Sequence, residues 1–500
     1  MTPGNERPDR AGAHRPRLIA GTVQVLMSEG LALPTGVAVA ALLARVFGPE
    51  GYGVFALAVS LVAAAEWGLG ALFSRATIAL IGSSSDRQPV RAVLRWHLAG
   101  GVIVAAVLTL AAMPLAAVMD EPRVRWCLVL LAFEAPFVAL ATGCRGILTG
   151  RGWFGARAAA GAVRWIARLI GIGTCVGLGF PIEGAAVGSV IGALVSFIVA
   201  RVLVGRAPGD NVPVAPAVFW HVAIPTFVLA MSLRLLDKLG LVALKVLGAP
   251  TADAGLYAAV QSLSIAPAQF AMAFSPLLLA TMTRLVERGD TASARQQAFV
   301  ATRVVWLSAP LLAIVAGSAT EIVRIVYGDR FDPAAMLAAP LLVATFAIAY
   351  VSVASAALTA EGHAPAAART AWPVLPLAIV GYIVFVPRYG APGAAVTTSL
   401  AALVGAVLSA VVMRTALRIR LPVATCVRSL ALSAAVYALA DAWPAPDLLA
   451  LVIKATVLAV GVAVASAVLG EWTRADLAWA HTVWRDRRGP TASRDGASRP

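Results

Sequence analysis

Arg234, Asp237 and Lys238 stand at i, i+3 and i+4 inside an otherwise apolar stretch, which puts all three on one helical face. Two readings fit such a trio. Asp237 can neutralise a neighbouring cation near a helix end, or the trio can face a water-filled cavity. There the surplus positive charge would meet an anionic group, and the carboxylate would take a proton or cation. Pro225, upstream, would loosen that helix. Other charges interrupt apolar stretches: Glu29, Glu66, Arg75, Glu134 (followed by Pro136), Arg164 and Arg168 flanking Trp165, Arg303, and Lys454. Each costs about 2.5–3.5 kcal/mol at mid-membrane, so each needs a partner, a cavity or a task. Arg168 and Arg303 can snorkel to an interface, and Lys454 reads as structural. Glu29 and Glu66 have short reach, so a cavity is as good an account of them as a structural one. A carboxylate held near cations titrates over a range that ion coupling can use.

Other chemistries lack their residues. None of the three lysines, Lys238, Lys245 and Lys454, precedes Ser or Thr, so the phosphate-binding loop of nucleotide hydrolases is excluded. The five histidines stand far apart without zinc spacing, and Cys127, Cys144, Cys175 and Cys426 form no Cys-x-x-Cys pair. No metal or cofactor is expected. Asp120-Glu121, and Asp329 with Asp332, are the nearest candidates for loop catalysis, and they read as solvated turn residues beside Arg123 and Arg330. An enzyme is therefore the weaker hypothesis.

The elements that carry these charges are membrane helices. Of 500 residues, 60% are hydrophobic and 13% charged, with a mean hydropathy of +0.84. That composition belongs to an integral membrane protein. About fourteen apolar runs approach the roughly 20 residues that cross a bilayer. The net charge of +15 suggests nucleic acid until its distribution is examined. Most Lys and Arg fall in alternate loops, including Arg414, Arg418, Arg420 and Arg428, and in the tail at Arg485, Arg487 and Arg488. This is the positive-inside pattern, with both termini cytoplasmic. No nucleic-acid partner is expected, and the basic loops suit contact with anionic membrane lipids.

The chain also repeats itself. Arg45-Val46-Phe47-Gly48 is echoed by Lys245-Val246-Leu247-Gly248, and Gly53-Val54-Phe55-Ala56 by Gly255-Leu256-Tyr257-Ala258. Leu148-Thr149-Gly150-Arg151-Gly152 returns as Leu358-Thr359-Ala360-Glu361-Gly362, and Gly184-Ala185-Ala186-Val187 as Gly393-Ala394-Ala395-Val396. The order is kept while the offset drifts only from 200 to 210. The pattern predicts a basic N-terminus (1–17), a first lobe of six spans (18–206), a second lobe of six (207–415), an added hairpin (416–480) and a tail (481–500). Duplicated halves are a common build of secondary transporters.

Ala44-Arg45-Val46-Phe47-Gly48-Pro49-Glu50-Gly51-Tyr52-Gly53 resembles the opening hairpin of the polysaccharide-export (Wzx-type) flippases. Trp67-Gly68-Leu69-Gly70 with Arg75 is similar to that family's second-span element. Asp237-Lys238 with Gly248 and Gly255-Leu256-Tyr257 resembles its seventh- and eighth-span signature, and Ser275-Pro276 with the Arg284-to-Asp290 loop fits the continuation. The likeness runs over about residues 18–415. It implies the multidrug/oligosaccharidyl-lipid/polysaccharide (MOP) exporter superfamily: an all-α integral membrane fold of two six-helix bundles in a V, here with a C-terminal hairpin. It further implies a bacterial inner-membrane flippase that moves an undecaprenyl-pyrophosphate-linked oligosaccharide, working beside glycan polymerase and glycosyltransferases.

By position, Arg75, Arg234, Asp237 and Lys238 match charged places in or near the family's lumen. The expected site is thus a cationic lumen of Arg75, Arg234, Lys238 and Arg164, with Asp237, Glu29 and Glu66 as ion-coupling candidates. Alternatives remain at this level: a lipid II flippase, a drug or metabolite antiporter of the same superfamily, or a membrane glycan polymerase or ligase. The basic tilt of the span charges favours an anionic cargo over the antiporter's cationic one.

Overall fold

A computed structural model describes residue 24 and residues 27–82, 89–205, 238–419 and 422–471. Arg234, Asp237, Pro225, the two terminal segments and the side chain of Arg75 lie outside the described residues. The described chain is all helical: α1 (Ala32–Gly82), α2 (Val90–Val118), α3 (Pro122–Ala132), α4 (Glu134–Gly150), α5 (Phe154–Gly177), α6 (Ile182–Val204), α7 (Thr251–Glu287) and α8 (Thr291–Gly317). Then come α9 (Ala319–Tyr327), a 3-10 segment (Asp329–Leu337), α10 (Ala338–Ala360), α11 (Ala364–Ala371), α12 (Val374–Ala416), α13 (Val423–Ala442) and α14 (Leu448–Val468). A further helical stretch covers 238–246.

Among the described residues, ten stretches are long and apolar enough to cross a membrane. The expected count was about fourteen, and much of the difference has a geometric origin. At 1.5 Å per residue, the 51 residues of α1 would reach about 75 Å, more than twice a hydrocarbon core. The helix is in fact folded at Gly48 (φ 69°, ψ −175°), immediately before Pro49, so it holds two passes. α12 is folded in the same way at Gly390 (φ 56°), between Pro387 and Pro392. A side chain at either glycine would be strained, and the adjacent prolines remove helix hydrogen bonds. α3 and α4 form one pass, interrupted at Phe133.

Residues matched in the sequence repeat adopt matching conformations. Gly48 and Gly248 both have positive φ, as do Gly152 and Gly362. Gly53 of α1 and Gly255 of α7 meet face to face. A Cβ on Gly53 would overlap the Thr251 carbonyl and lie 2.9 Å from the Gly255 nitrogen; one on Gly255 would overlap the Pro49 carbonyl. Around this contact Leu43, Tyr52, Leu57, Leu244, Tyr257, Tyr327 and Phe331 form one buried apolar cluster. α5 and α6 approach just as closely through Gly171 against Gly188 and Gly192 against the Arg168 backbone.

The hairpin α13–α14 is fastened to α8 and α9. Lys454, fully buried, donates to Glu321 at 2.7 Å, as a structural lysine should. Glu471 accepts from Thr425 (2.7 Å), Arg428 (3.0 Å) and Arg303 (3.2 Å). Arg303 therefore does not reach for an interface; a carboxylate comes to it.

Candidate functional site

One face of α5 carries Arg157, Gly161, Arg164 and Arg168, at i, i+4, i+7 and i+11, which is helical spacing for a single stripe. That face meets the start of the chain and α1. Gly161 leaves room for Ser28, whose oxygen would be 3.1 Å from a Cβ there. The stripe is met by carboxylates from three segments. Arg157 Nη2 lies 3.0 Å from Glu29 Oε1, and Arg164 Nη2 lies 3.5 Å from Glu66 Oε2. Glu134, at the start of α4, is buried and accepts from Ser189 of α6 at 2.8 Å. Arg145 of α4 shares the electrostatic neighbourhood of Glu29, Glu66, Arg157 and Arg164. Four arginines against three glutamates leave the described cluster one positive charge in excess.

The cluster borders a small pocket lined by Glu134, Val138, Ala141, Arg164, Arg168, Ala193 and Ser196. Its free volume of 10 Å³ suits about one water molecule. Several polar atoms around it are buried and meet no hydrogen-bond partner among the described residues: Glu66 Oε1, Arg168 Nε, Ser196 Oγ and Arg157 Nη1. Arg157 and Arg164 keep about a fifth of their side-chain surface exposed (21% each), so solvent still reaches the stripe.

Of the residues expected in the site, Arg164, Glu66 and Glu29 are brought into this one cluster. Lys238 opens the 238–246 stretch, half-buried, and Gly240 there packs against the hydroxyls of Tyr257 and Tyr382. Those hydroxyls both bond Thr398 Oγ1, at 3.1 and 2.9 Å. Arg157, Arg145 and Ser196 were missed. The stripe spacing could have revealed Arg157, but a basic residue one turn into a helix reads as a loop charge.

A second polar group seals one end of the molecule, where Gly48 and Gly248 turn. Thr251 of α7 donates to Glu121 at 2.7 Å, and Arg123 bonds both Glu121 (2.9 Å) and Glu50. Arg45 of α1 donates to the carbonyls of Val326 (3.0 Å) and Ile325 at the end of α9. Glu121 is therefore not the solvated turn residue expected: it is buried and joins the two repeats. Burial pushes its carboxyl up, but hydrogen bonds from Arg123 and Thr251 outweigh that and hold it below the ordinary value. Asp332 likewise pairs with Arg324 (2.5 Å), whereas Arg330 lies against Gly48.

Comparison with known proteins bears on both groups. The family described as polysaccharide biosynthesis protein matches residues 18–284. No curated protein sequence matches the chain. Among solved structures, the lipid II flippase MurJ in an inward closed conformation is similar with a TM-score of 0.70 at 16% identity, covering 90% of this chain and 98% of that one. An inward-facing multidrug resistance MATE family transporter of the MOP superfamily is similar at 0.64 and 16% identity, over 80% and 98% of the two chains. An outward-facing MATE structure gives 0.55 at 14% identity, over 80% and 95%. At these identities the likeness concerns the fold.

Proposed function

This chain belongs to the polysaccharide biosynthesis protein family, a membrane-transporter family and not an enzyme family, and from that premise we propose that it flips an undecaprenyl-pyrophosphate-linked oligosaccharide across the bacterial inner membrane. The observation that carries the reading is the α5 stripe: three arginines on one face inside the membrane, partly open to solvent, in a cluster with surplus positive charge. A pyrophosphate head is costly to bring into a low-dielectric interior, and a fork-shaped guanidinium offsets that cost with paired hydrogen bonds. The prenyl tail stays in lipid while the head and glycan pass between two lobes (18–206 and 207–415), with 416–480 as an added hairpin.

In this reading the chain makes about fourteen passes, both termini are cytoplasmic, and the Gly48 end faces outward. The opposite helix ends carry Arg151, Arg201, Arg284, Arg288, Arg369 and Arg414, in keeping with a cytoplasmic side. The sealed Gly48 end agrees with the higher TM-score to the inward-facing MATE structure than to the outward-facing one. Cargo enters from the cytoplasm, the seal opens, and the site is exposed outward, a shift between states driven by differential affinity. Arg75, Arg234 and Lys238 complete the cationic lumen, and Asp237, Glu29 and Glu66 are the groups through which an ion gradient would act. Glycan polymerase and glycosyltransferases are the partners such a step needs.

The test is surface glycan output in cells that depend on this chain. Arg164→Ala, Arg234→Ala and Asp237→Asn, at equal protein levels, are each expected to abolish or severely reduce surface polysaccharide. Full output with Arg164→Ala would refute the role given to the stripe. Depletion separates the cargoes: lysis would assign lipid II, and loss of a dispensable surface glycan supports the reading proposed.

A further inference from the structure

The carboxylates of this molecule fall into two kinds. Glu471 is saturated, with Thr425 and Arg428 at 2.7 and 3.0 Å and Arg303 at its other face. Glu321 receives a fully buried lysine at 2.7 Å. These are pairs with nothing left to offer. Glu66 differs. It meets Arg164 through one atom pair at 3.5 Å, long against the 2.7–2.9 Å usual for a charge-assisted bond, and its second oxygen is buried without a described partner. The arginines opposite are equally under-used: Arg157 Nη1 and Arg168 Nε have no partner among the described residues, although Arg157 also holds Glu29 at 3.0 Å. A buried pair left this incomplete recovers little of its desolvation cost. Such an arrangement suits ions that are to be exchanged, not kept.

We propose that Glu66, with Glu29, is an internal stand-in for the cargo's pyrophosphate: it neutralises the α5 arginines while the site is empty, is displaced when a pyrophosphate arrives, and evicts that group afterwards. This rests on the function proposed above and adds regulation of the same site. The stand-in also lets the empty carrier reset without leaving the α5 arginines uncompensated. It lowers cargo affinity and by the same measure speeds release.

The experiment measures binding to the purified full-length protein in lipid nanodiscs, with three probes: undecaprenyl pyrophosphate, inorganic pyrophosphate and undecaprenol. Glu66→Gln keeps the side-chain shape and removes the competing charge. It is expected to tighten both pyrophosphate probes by roughly two- to fivefold, the value of one weakly made ion pair, and to leave undecaprenol unchanged. In the combined Glu66→Gln/Arg164→Ala protein that gain should vanish. In a flipping assay Glu66→Gln should half-saturate at lower cargo concentration and turn over more slowly, a split that mere loosening of the fold would not produce. Equal or weaker pyrophosphate binding by Glu66→Gln overturns the proposal while leaving the flippase reading intact, provided Arg164→Ala still weakens binding. Tightening of undecaprenol as well would assign the effect to packing and also overturn it. Wild-type protein that binds neither pyrophosphate probe, with Arg164→Ala no different, would sink both readings.

Discussion

Replacing Gly53 with alanine adds one carbon where no space exists. The new Cβ would overlap the Thr251 carbonyl and lie 2.9 Å from the Gly255 nitrogen, both backbone atoms that cannot swing aside. The helices α1 and α7 must therefore separate, at the about 1–3 kcal/mol typical of overpacking. Alanine also favours helix over glycine by up to about 1 kcal/mol, but Gly53 is helical whether or not the seal is closed, so that gain cancels. The net effect falls on the closed state alone and shifts the closed-to-open ratio by roughly 5- to 150-fold. The assay is alkylation of a cysteine placed at Ala249, which is 7% exposed beside the seal, after the four native cysteines are replaced by alanine. A membrane-impermeant maleimide should label Ala249→Cys slowly, and much faster once Gly53→Ala is added. Gly70→Ala is the control, since nothing lies within 4 Å of a Cβ there. Unchanged labelling in the Gly53→Ala protein, with normal export, would refute the claim that this contact sets the seal.

The seal should also respond to acid. The Glu121 carboxyl is held below its ordinary value of 4.5 while Thr251 and Arg123 donate to it, so the closed state is favoured above that value and loses this support as pH falls through the lowered one. Labelling at Ala249→Cys, taken as a ratio to a fully exposed cysteine so that the thiol's own loss of reactivity in acid cancels, should rise below about pH 4.5, and Glu121→Gln should raise it at neutral pH; a flat ratio would discount the carboxylate. Glu471→Ala removes the buried carboxylate that Arg303, Arg428 and Thr425 share, and breaking such a pair costs up to about 3–5 kcal/mol. Its signature is a lower melting temperature and earlier protease cleavage in the α13–α14 hairpin, and a melting temperature equal to wild type would show the clamp to be dispensable.

The membrane class, the repeat and several turns were legible because they are local or periodic. Gly48 and Gly248 were aligned by letters alone, and both turn with positive φ. The expected count of about fourteen already took α1 and α12 as two passes each, because Gly48-Pro49 and Gly390 with Pro387 and Pro392 mark the folds. Pairing was the least legible. The sequence shows Glu66 and Arg164 to be costly in a membrane, but which carboxylate reaches which arginine depends on helix rotation and on contacts almost a hundred residues apart. Arg157 was missed for that reason: counted as a loop charge, it is the third member of the stripe. Glu121 was misjudged because its partner Thr251 comes from the other repeat, 130 positions away.

Where the polar bonds sit decides what can move. Opening the Gly48 end breaks the Thr251–Glu121 bond and the bonds from Arg45 to α9, yet each freed group meets water there. Exchange of a protein hydrogen bond for one to water costs only about 0.5–1.5 kcal/mol net, or about 1.5–3 where a charge takes part. The apolar contacts beneath, including Tyr52 against Phe331, add a cost that rises with the area parted. The Glu66–Arg164 pair is less accessible to water, so separating it without a replacement anion would leave two charges poorly solvated. In the flippase reading proposed above, the Gly48 end can therefore open on modest binding differences, whereas the Glu66–Arg164 pair parts at lower cost when something negative takes the carboxylate's place. That ordering makes the arrival of cargo, and not the opening of the seal, the step that must come first.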